Sequence, residues 1–106
     1  MVARGEIWLA TLDPTVGSEI RKTRPCLIVS PPELNDGTRL VIIAPMTTGS
    51  RPAPFRVPIV FEKRSGLVVL DQVRTLDKRR LVKRLGKAPL RVVRDVLTRL
   101  TQMFAE

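Results

Sequence analysis

At 106 residues, with 43% hydrophobic and 27% charged side chains, the chain has the composition of one globular domain and not of a disordered segment. No histidine is present and Cys26 is the lone cysteine, which excludes an internal disulfide, a thiolate metal cluster and the usual histidine acid–base pair. The net charge of +9 lies entirely in residues 51–106, where fourteen Lys/Arg face five Asp/Glu, while residues 1–50 hold five of each. A field this lopsided favours a phosphate-rich or acidic partner over neutral ones.

Any catalysis must then use carboxylates, hydroxyls and guanidinium groups, and no metal or cofactor is expected. No apolar run approaches the ~18 residues of a membrane span. Met1–Gly5 lacks the apolar stretch of a signal peptide, so the expectation is a cytoplasmic protein with no membrane contact.

Glu6–Leu12 reads as a strand ended by Asp13-Pro14-Thr15, with Trp8 as a core or interface anchor. A long polar loop follows. Pro25 disfavours helix at Arg24 and opens a second strand, to Ser30, too apolar to be half-exposed. Arg24 is thus expected in extended backbone at the mouth of a strand, with Glu19 beside it at the edge of a hidden site. Cys26 reads as a small buried hydrophobe. Pro31–Gly37 is a breaker cluster with room for one helical turn. Leu40–Met46 is a third buried strand, halted near Pro45. The Thr47-Thr48-Gly49-Ser50 run beyond it is either a plain loop or a set of phosphate contacts.

Phe55–Phe61 reads as a fourth strand, with Pro58 marking an edge or bulge, and Glu62–Gly66 as a tight charged turn. Leu67–Leu76 reads as a fifth strand, whose alternation sets Gln72 and Arg74 on one side and Asp71 and Val73 on the other. Asp71, which interrupts this apolar run, is either half of a structural ion pair or exposed in a cleft. Asp77 caps a short turn through Arg79 and Arg80, and Val82–Lys87 is extended again. Pro89 begins a helix whose apolar face is Leu90, Val93, Val96, Leu97, Leu100, Met103 and Phe104. The fold class is mainly β: a small, partly open barrel of five to six strands with a C-terminal helix, as one domain over residues 1–106.

Several ordered segments resemble one family. Arg4-Gly5-Glu6-Ile7-Trp8, Leu12–Glu19 and Thr23-Arg24-Pro25 with Leu27–Ser30 look like the opening of the MazF/PemK/Kid mRNA interferase toxins. Pro45-Met46-Thr47-Thr48 resembles that family's strand-end threonine motif, and Asp71-Gln72-Val73-Arg74, followed by Arg80-Leu81, its carboxylate–glutamine segment. The resemblance implies a homodimer of SH3-like barrels that cleaves single-stranded RNA at short motifs without a metal, leaving a 2′,3′-cyclic phosphate and a 5′-hydroxyl. It also implies an acidic, largely disordered antitoxin protein laid across the RNA groove. Arg24 and Thr47 match the family's catalytic pair, and Glu19 an acidic position beside that arginine. Asp71 matches the carboxylate of the Kid branch, whose arginine two residues earlier is Val69 here. RNA contacts are expected from Ser18, Thr48, Ser50, Gln72, Arg74, Arg79 and Arg80.

This chemistry agrees with the residues themselves. Attack of a ribose 2′-hydroxyl on its own phosphate needs proton removal, stabilisation of a crowded anionic transition state and protonation of the leaving oxygen. Arg24 can fork onto two phosphate oxygens while Thr47 donates a further hydrogen bond. A free guanidinium, with a pKa above ~12, is a poor base, so Glu19 or Asp71 is expected to take the proton. The competing reading is a non-catalytic module on the same barrel that holds nucleic acid or a protein target, as gyrase-poisoning relatives of this fold do. An inert structural domain would leave Glu19, Arg24 and Thr47 without a purpose.

Overall fold

In the computed structural model, which describes residues 1–106, the apolar runs form the centre of one curled antiparallel sheet. Its strands are β1 (Glu6–Thr11), β2 (Thr23–Ile28), β3 (Leu40–Thr47), β4 (Arg56–Phe61), β5 (Arg64–Val69), β6 (Arg74–Asp77) and β7 (Leu81–Lys87). They hydrogen-bond in the order β4-β5-β3-β2-β1-β7, and β6 pairs with the first half of β3. Two helices, α1 (Pro32–Gly37) and α2 (Leu90–Met103), complete the chain. The barrel is partly open because β4 and β7 end the path, and Pro58 sits, as expected, on an edge strand.

Alternation explains why β2 and β3 are so apolar. Leu27, Val29, Ala44 and Met46 face one core cluster, which Val57, Ile59, Val68, Val92 and Val96 complete. Cys26, Ile28, Val41 and Ile43 face a second, with Ala10, Leu12 and Leu76. Both faces of these strands are therefore covered, and the period-two pattern is lost in a continuous hydrophobic run.

Seven strands form, not five or six, because the expected fifth strand is broken. β5 ends at Val69, Leu70–Gln72 make a 3-10 turn, and β6 begins at Arg74. The cause lies across the ladder. Met46 pairs with Val68 and Ile43 with Arg74, so the opposing chain advances six residues while β3 advances three. The surplus leaves the ladder as the turn. The expected alternation of Gln72 and Arg74 against Asp71 and Val73 therefore does not hold, since Asp71 and Gln72 are not on a strand.

The same irregularity lets β3 run through Pro45 to Thr47 and not halt there. The Ile42 carbonyl accepts from Val29 N–H on the β2 side, so by alternation Pro45 presents its missing donor to the opposite edge. That edge is where the surplus residues have left the ladder, and no hydrogen bond is lost.

The β4–β5 turn is shorter than expected: Phe61 pairs with Arg64 around Glu62 and Lys63, whose φ values are +51° and +63°. Two left-handed residues are what a two-residue hairpin of matching twist requires. The buried face of α2 also differs from the expected stripe. Val92 and Val96 are its buried residues, with Val93 and Leu100 packed beside them, while Leu90, Met103 and Phe104 are exposed. The middle of the helix packs on the core and both ends overhang it. Gly5, at φ +91°, lets α2 approach: a Cβ there would lie 3.2 Å from Val93 Cγ2.

Candidate active site

Two cavities open on the sheet and meet at consecutive residues of β3. The first, about 200 Å³, is lined by Arg24, Pro25, Met46, Thr47 and Thr48, with Ile59, Phe61, Glu62, Arg64 and Gly66 opposite. The second, about 170 Å³, is lined by Glu19, Ile20, Pro45, Asp71, Gln72, Val73 and Arg74. The four expected catalytic residues are thus divided, Arg24 and Thr47 in one cavity, Glu19 and Asp71 in the other.

The β2–β3 register explains the first pair. Cys26 is opposite Pro45, and continuing that register by two residues brings Arg24 opposite Thr47. Arg24 Nε donates to the Arg21 carbonyl at 3.0 Å, and its two Nη groups have no partner within the chain. Thr47 Oγ1 accepts from Gly49 N–H at 3.1 Å, so the hydroxyl proton remains to be donated. Thr47 is also held from behind, because a Cβ at Gly66 would lie 2.9 Å from its carbonyl oxygen. Only glycine permits β5 to pass so close.

In the second cavity Asp71 forms a two-point ion pair: Arg56 Nε reaches Oδ1 at 3.4 Å and Nη2 reaches Oδ2 at 3.2 Å. Arg56 is the register partner of Val69 across the β4–β5 ladder. The guanidinium that the family resemblance would put at residue 69 therefore comes from the opposite strand. Glu19 is exposed, and its Oε1 accepts from Val16 N–H at 2.7 Å within its own loop.

Of the expected RNA contacts, Thr48 lines the first cavity, whereas Ser18 and Ser50 line neither. Gln72, Arg74 and Arg80 fasten the loop over residues 12–22. Gln72 Oε1 accepts from Ile20 N–H at 2.6 Å, and Arg74 Nη1 donates to the Leu12 carbonyl at 3.1 Å. Arg80 Nη1 donates to the Asp13 and Thr11 carbonyls at 2.6 and 3.3 Å. Arg79 is exposed and pairs with Asp77, whose carboxyl is held below the usual range by the Arg79 backbone N–H and then by its side chain. Lys78 reaches the Asn35 carbonyl.

Phe61, Glu62, Arg64 and Arg56 were not legible as site residues. An isolated charge on a strand or hairpin tip carries no local signal, and only the ladder brings these four to the rim. Cys26 is fully buried, and burial pushes its thiol up to about 12 despite the positive charges of Arg74 and Arg24. It is inert at neutral pH.

Fold and rim together define a small half-barrel with one C-terminal helix and a cleft bearing guanidinium, hydroxyl and carboxylate groups. A family model described as "PemK-like, MazF-like toxin of type II toxin-antitoxin system" matches residues 3–104, and the chain belongs to that family. It is 46% identical over 107 residues to Endoribonuclease PemK of Escherichia coli, covering 95% of this chain and 80% of that protein. The crystal structure of MazF from Deinococcus radiodurans superposes with a TM-score of 0.85 at 31% identity, covering 96% of this chain and 94% of that one. A mycobacterial endoribonuclease in complex with its cognate antitoxin superposes at 0.81 with 26% identity, over 96% and 93% of the two chains. No helix of the chain is long and apolar enough to cross a membrane.

Proposed function

We propose that this chain is a sequence-specific endoribonuclease toxin that cleaves single-stranded mRNA without a metal. The ribose 2′ oxygen forms a bond to its own phosphorus and closes a 2′,3′-cyclic phosphate. The bond from phosphorus to the 5′ oxygen breaks, and that oxygen leaves as a hydroxyl after taking up a proton. The observation that carries this reading is the shared cavity of Arg24 and Thr47, lined by a residue with two unpaired Nη groups and one with a hydroxyl proton to give. Such donors, aimed at developing phosphate charge, supply the largest share of the rate in reactions of this class. We assign removal of the 2′ proton to Asp71, whose orientation the Arg56 pair sets. Glu19 is committed to its own loop and is the second choice.

Thr48 extends the phosphate contacts, and the basic excess of Lys78–Arg80, β7 and α2 draws the RNA in. Gln72, Arg74 and Arg80 act by holding the loop over residues 12–22 against the rim. The functional unit in this reading is a homodimer of residues 1–106, working in the cytoplasm where its substrate is found. An acidic antitoxin silences it, as the antitoxin-bound mycobacterial relative suggests.

The test is cleavage of a single-stranded RNA and of the same sequence as DNA, both in EDTA. RNA cleavage alone is expected, since DNA lacks the attacking 2′-hydroxyl. Cleavage of both, or loss of activity in EDTA, overturns the mechanism. RNA binding with a steep salt dependence and no cleavage would make the chain a binding module instead.

A further inference from the structure

Arg56 belongs to none of the motifs that carry the family resemblance, yet it makes more directed contacts than any residue assigned to the site. It opens β4 directly opposite Val69, so its side chain projects on the same face as Val69, beside the turn that begins at Leu70. Two of its donors meet the two Asp71 oxygens, and Nη1 donates to the Arg51 carbonyl at 2.9 Å. The guanidinium lies 5.4 Å from the Phe55 ring centroid. Its backbone is fixed from behind, where Arg99 Nη1 donates to the Pro54 and Arg56 carbonyls at 2.9 and 3.1 Å. Arg99 is itself paired with Asp95 on α2 at 2.9 Å. Asp71, by contrast, accepts from no other donor in the chain. Asp71 is the exposed residue of its three-residue turn, and its carboxylate would otherwise exchange among its χ rotamers.

We propose that Arg56 is the positioning residue for Asp71, holding the carboxylate in one orientation and tying it through Arg51 to the loop after Thr47. This rests on the assignment of Asp71 to the reaction. The two-point pair uses one lone pair on each oxygen and leaves the others free to accept, on a residue that lines the second cavity. With side chains 21% and 32% exposed, the two-point pair contributes to folding as well as fixing the carboxylate's orientation, so stability and rate are measured on the same variants.

The experiment is a double-mutant cycle in single-turnover cleavage of a single-stranded RNA, comparing wild type, Arg56→Ala, Asp71→Asn and the double variant. Arg56→Lys and Arg24→Ala serve as references, and every variant is checked by thermal melting. Arg56→Ala should lower the rate at saturating RNA by about 10- to 100-fold, with KM changed less than about threefold. Arg56→Lys, which keeps the charge but loses the fork, should recover only part of that loss. In the Asp71→Asn background Arg56→Ala should cost nothing further. Arg56→Ala at the wild-type rate, or an equal loss in both backgrounds, overturns the proposal. So does Asp71→Asn at the wild-type rate beside an inactive Arg24→Ala, which removes Asp71 from the reaction while leaving the cleavage mechanism standing. If Arg24→Ala is also fully active, it is the mechanism that fails.

Discussion

Arg24 and Thr47 stand two residues beyond the last β2–β3 pair, Cys26 with Pro45, at the point where β3 has changed partner from β6 to β5. The strands diverge there because Thr47 follows β5, with Leu67 as its partner. The divergence opens the first cavity and leaves both side chains facing it. Its position follows from the change of partner along β3, where the surplus residues leave the ladder between Arg74 and Val68.

Arg24→Ala should therefore lower cleavage by about 10²–10³-fold, the usual cost of removing a donor aimed at transition-state charge. Stability should stay within about 0.5 kcal/mol, because the side chain makes only the one bond to the Arg21 carbonyl. Fragment yield on a labelled RNA, beside a thermal melt, checks both. An active Arg24→Ala variant would remove the residue from the site.

Gly66→Ala tests the support of Thr47 without touching a reactive group. The added methyl would lie 2.9 Å from the Thr47 carbonyl oxygen, a backbone atom, so the β3–β5 ladder must shift. A loss of about 1–3 kcal/mol is expected from urea titration, as for other overpacked sites. Cleavage should fall with it even at temperatures where the variant is fully folded. Unchanged stability and rate would show that Thr47 is not held by this approach.

Much of this was legible because the signals are local. Pro25 keeps Arg24 in extended backbone, although β2 begins two residues earlier, at Thr23, because Thr23 and Arg24 already pair with β1. The strand ends at Ile28, short of Ser30. The doubly covered strands appear as apolar runs, and Arg24 and Thr47 flank those runs. The features that were not legible depend on pairings across the sheet. Nothing between Leu67 and Leu76 marks the turn at Leu70–Gln72; only the mismatch with β3 does. The Asp71 partner is 15 residues away across a hairpin, at a position with no motif of its own. The helical stripe is longer in the sequence than the buried face of α2, because periodicity gives the direction of a face but not how far the surface beneath it extends.

Lys63→Gly should stabilise the protein. Lys63 holds φ +63° at the β4–β5 turn, a conformation that costs an L residue roughly 1–2 kcal/mol. Glycine removes that cost but loses some chain entropy, so a net gain of about 0.5–1 kcal/mol is expected in urea titration. A loss of stability would mean that the Lys63 side chain contributes more than its backbone strain removes.

Glu6 links β1 to the free edge strand β7. Its Oε1 accepts from Ala3 N–H at 2.8 Å and Trp8 Nε1 at 3.1 Å, and Oε2 from Arg84 Nε at 2.8 Å. Burial pushes the carboxyl up, but these hydrogen bonds and the Arg84 charge outweigh it and leave the pKa below its ordinary 4.5. A depressed carboxylate contributes stability above its unfolded pKa and loses it as pH falls through the folded one. Glu6→Gln should thus cost about 1–2 kcal/mol at pH 7, given that Arg84 is half exposed. The gap to wild type should close as the pH falls below the ordinary carboxylate range. A constant gap across that range would rule out the charged form as its source.

Cys26 gives the opposite sign at the alkaline end. Its folded pKa of about 12 lies well above the ordinary 9.0, so between those values the unfolded chain loses a proton that the folded chain keeps. Stability should then fall as pH rises above 9, at up to about 1.4 kcal/mol per pH unit from this group. Cys26→Ala should be less stable at pH 7, by roughly 1 kcal/mol for the lost packing, yet should show a flatter alkaline decline. The thiol offers an independent check. In native protein at pH 8 it should resist an aromatic disulfide reagent and react only as fast as the sheet opens, so labelling should accelerate in step with added urea. Rapid labelling without denaturant would mean that the Arg24–Thr47 cavity admits the reagent to the core between β2 and β3.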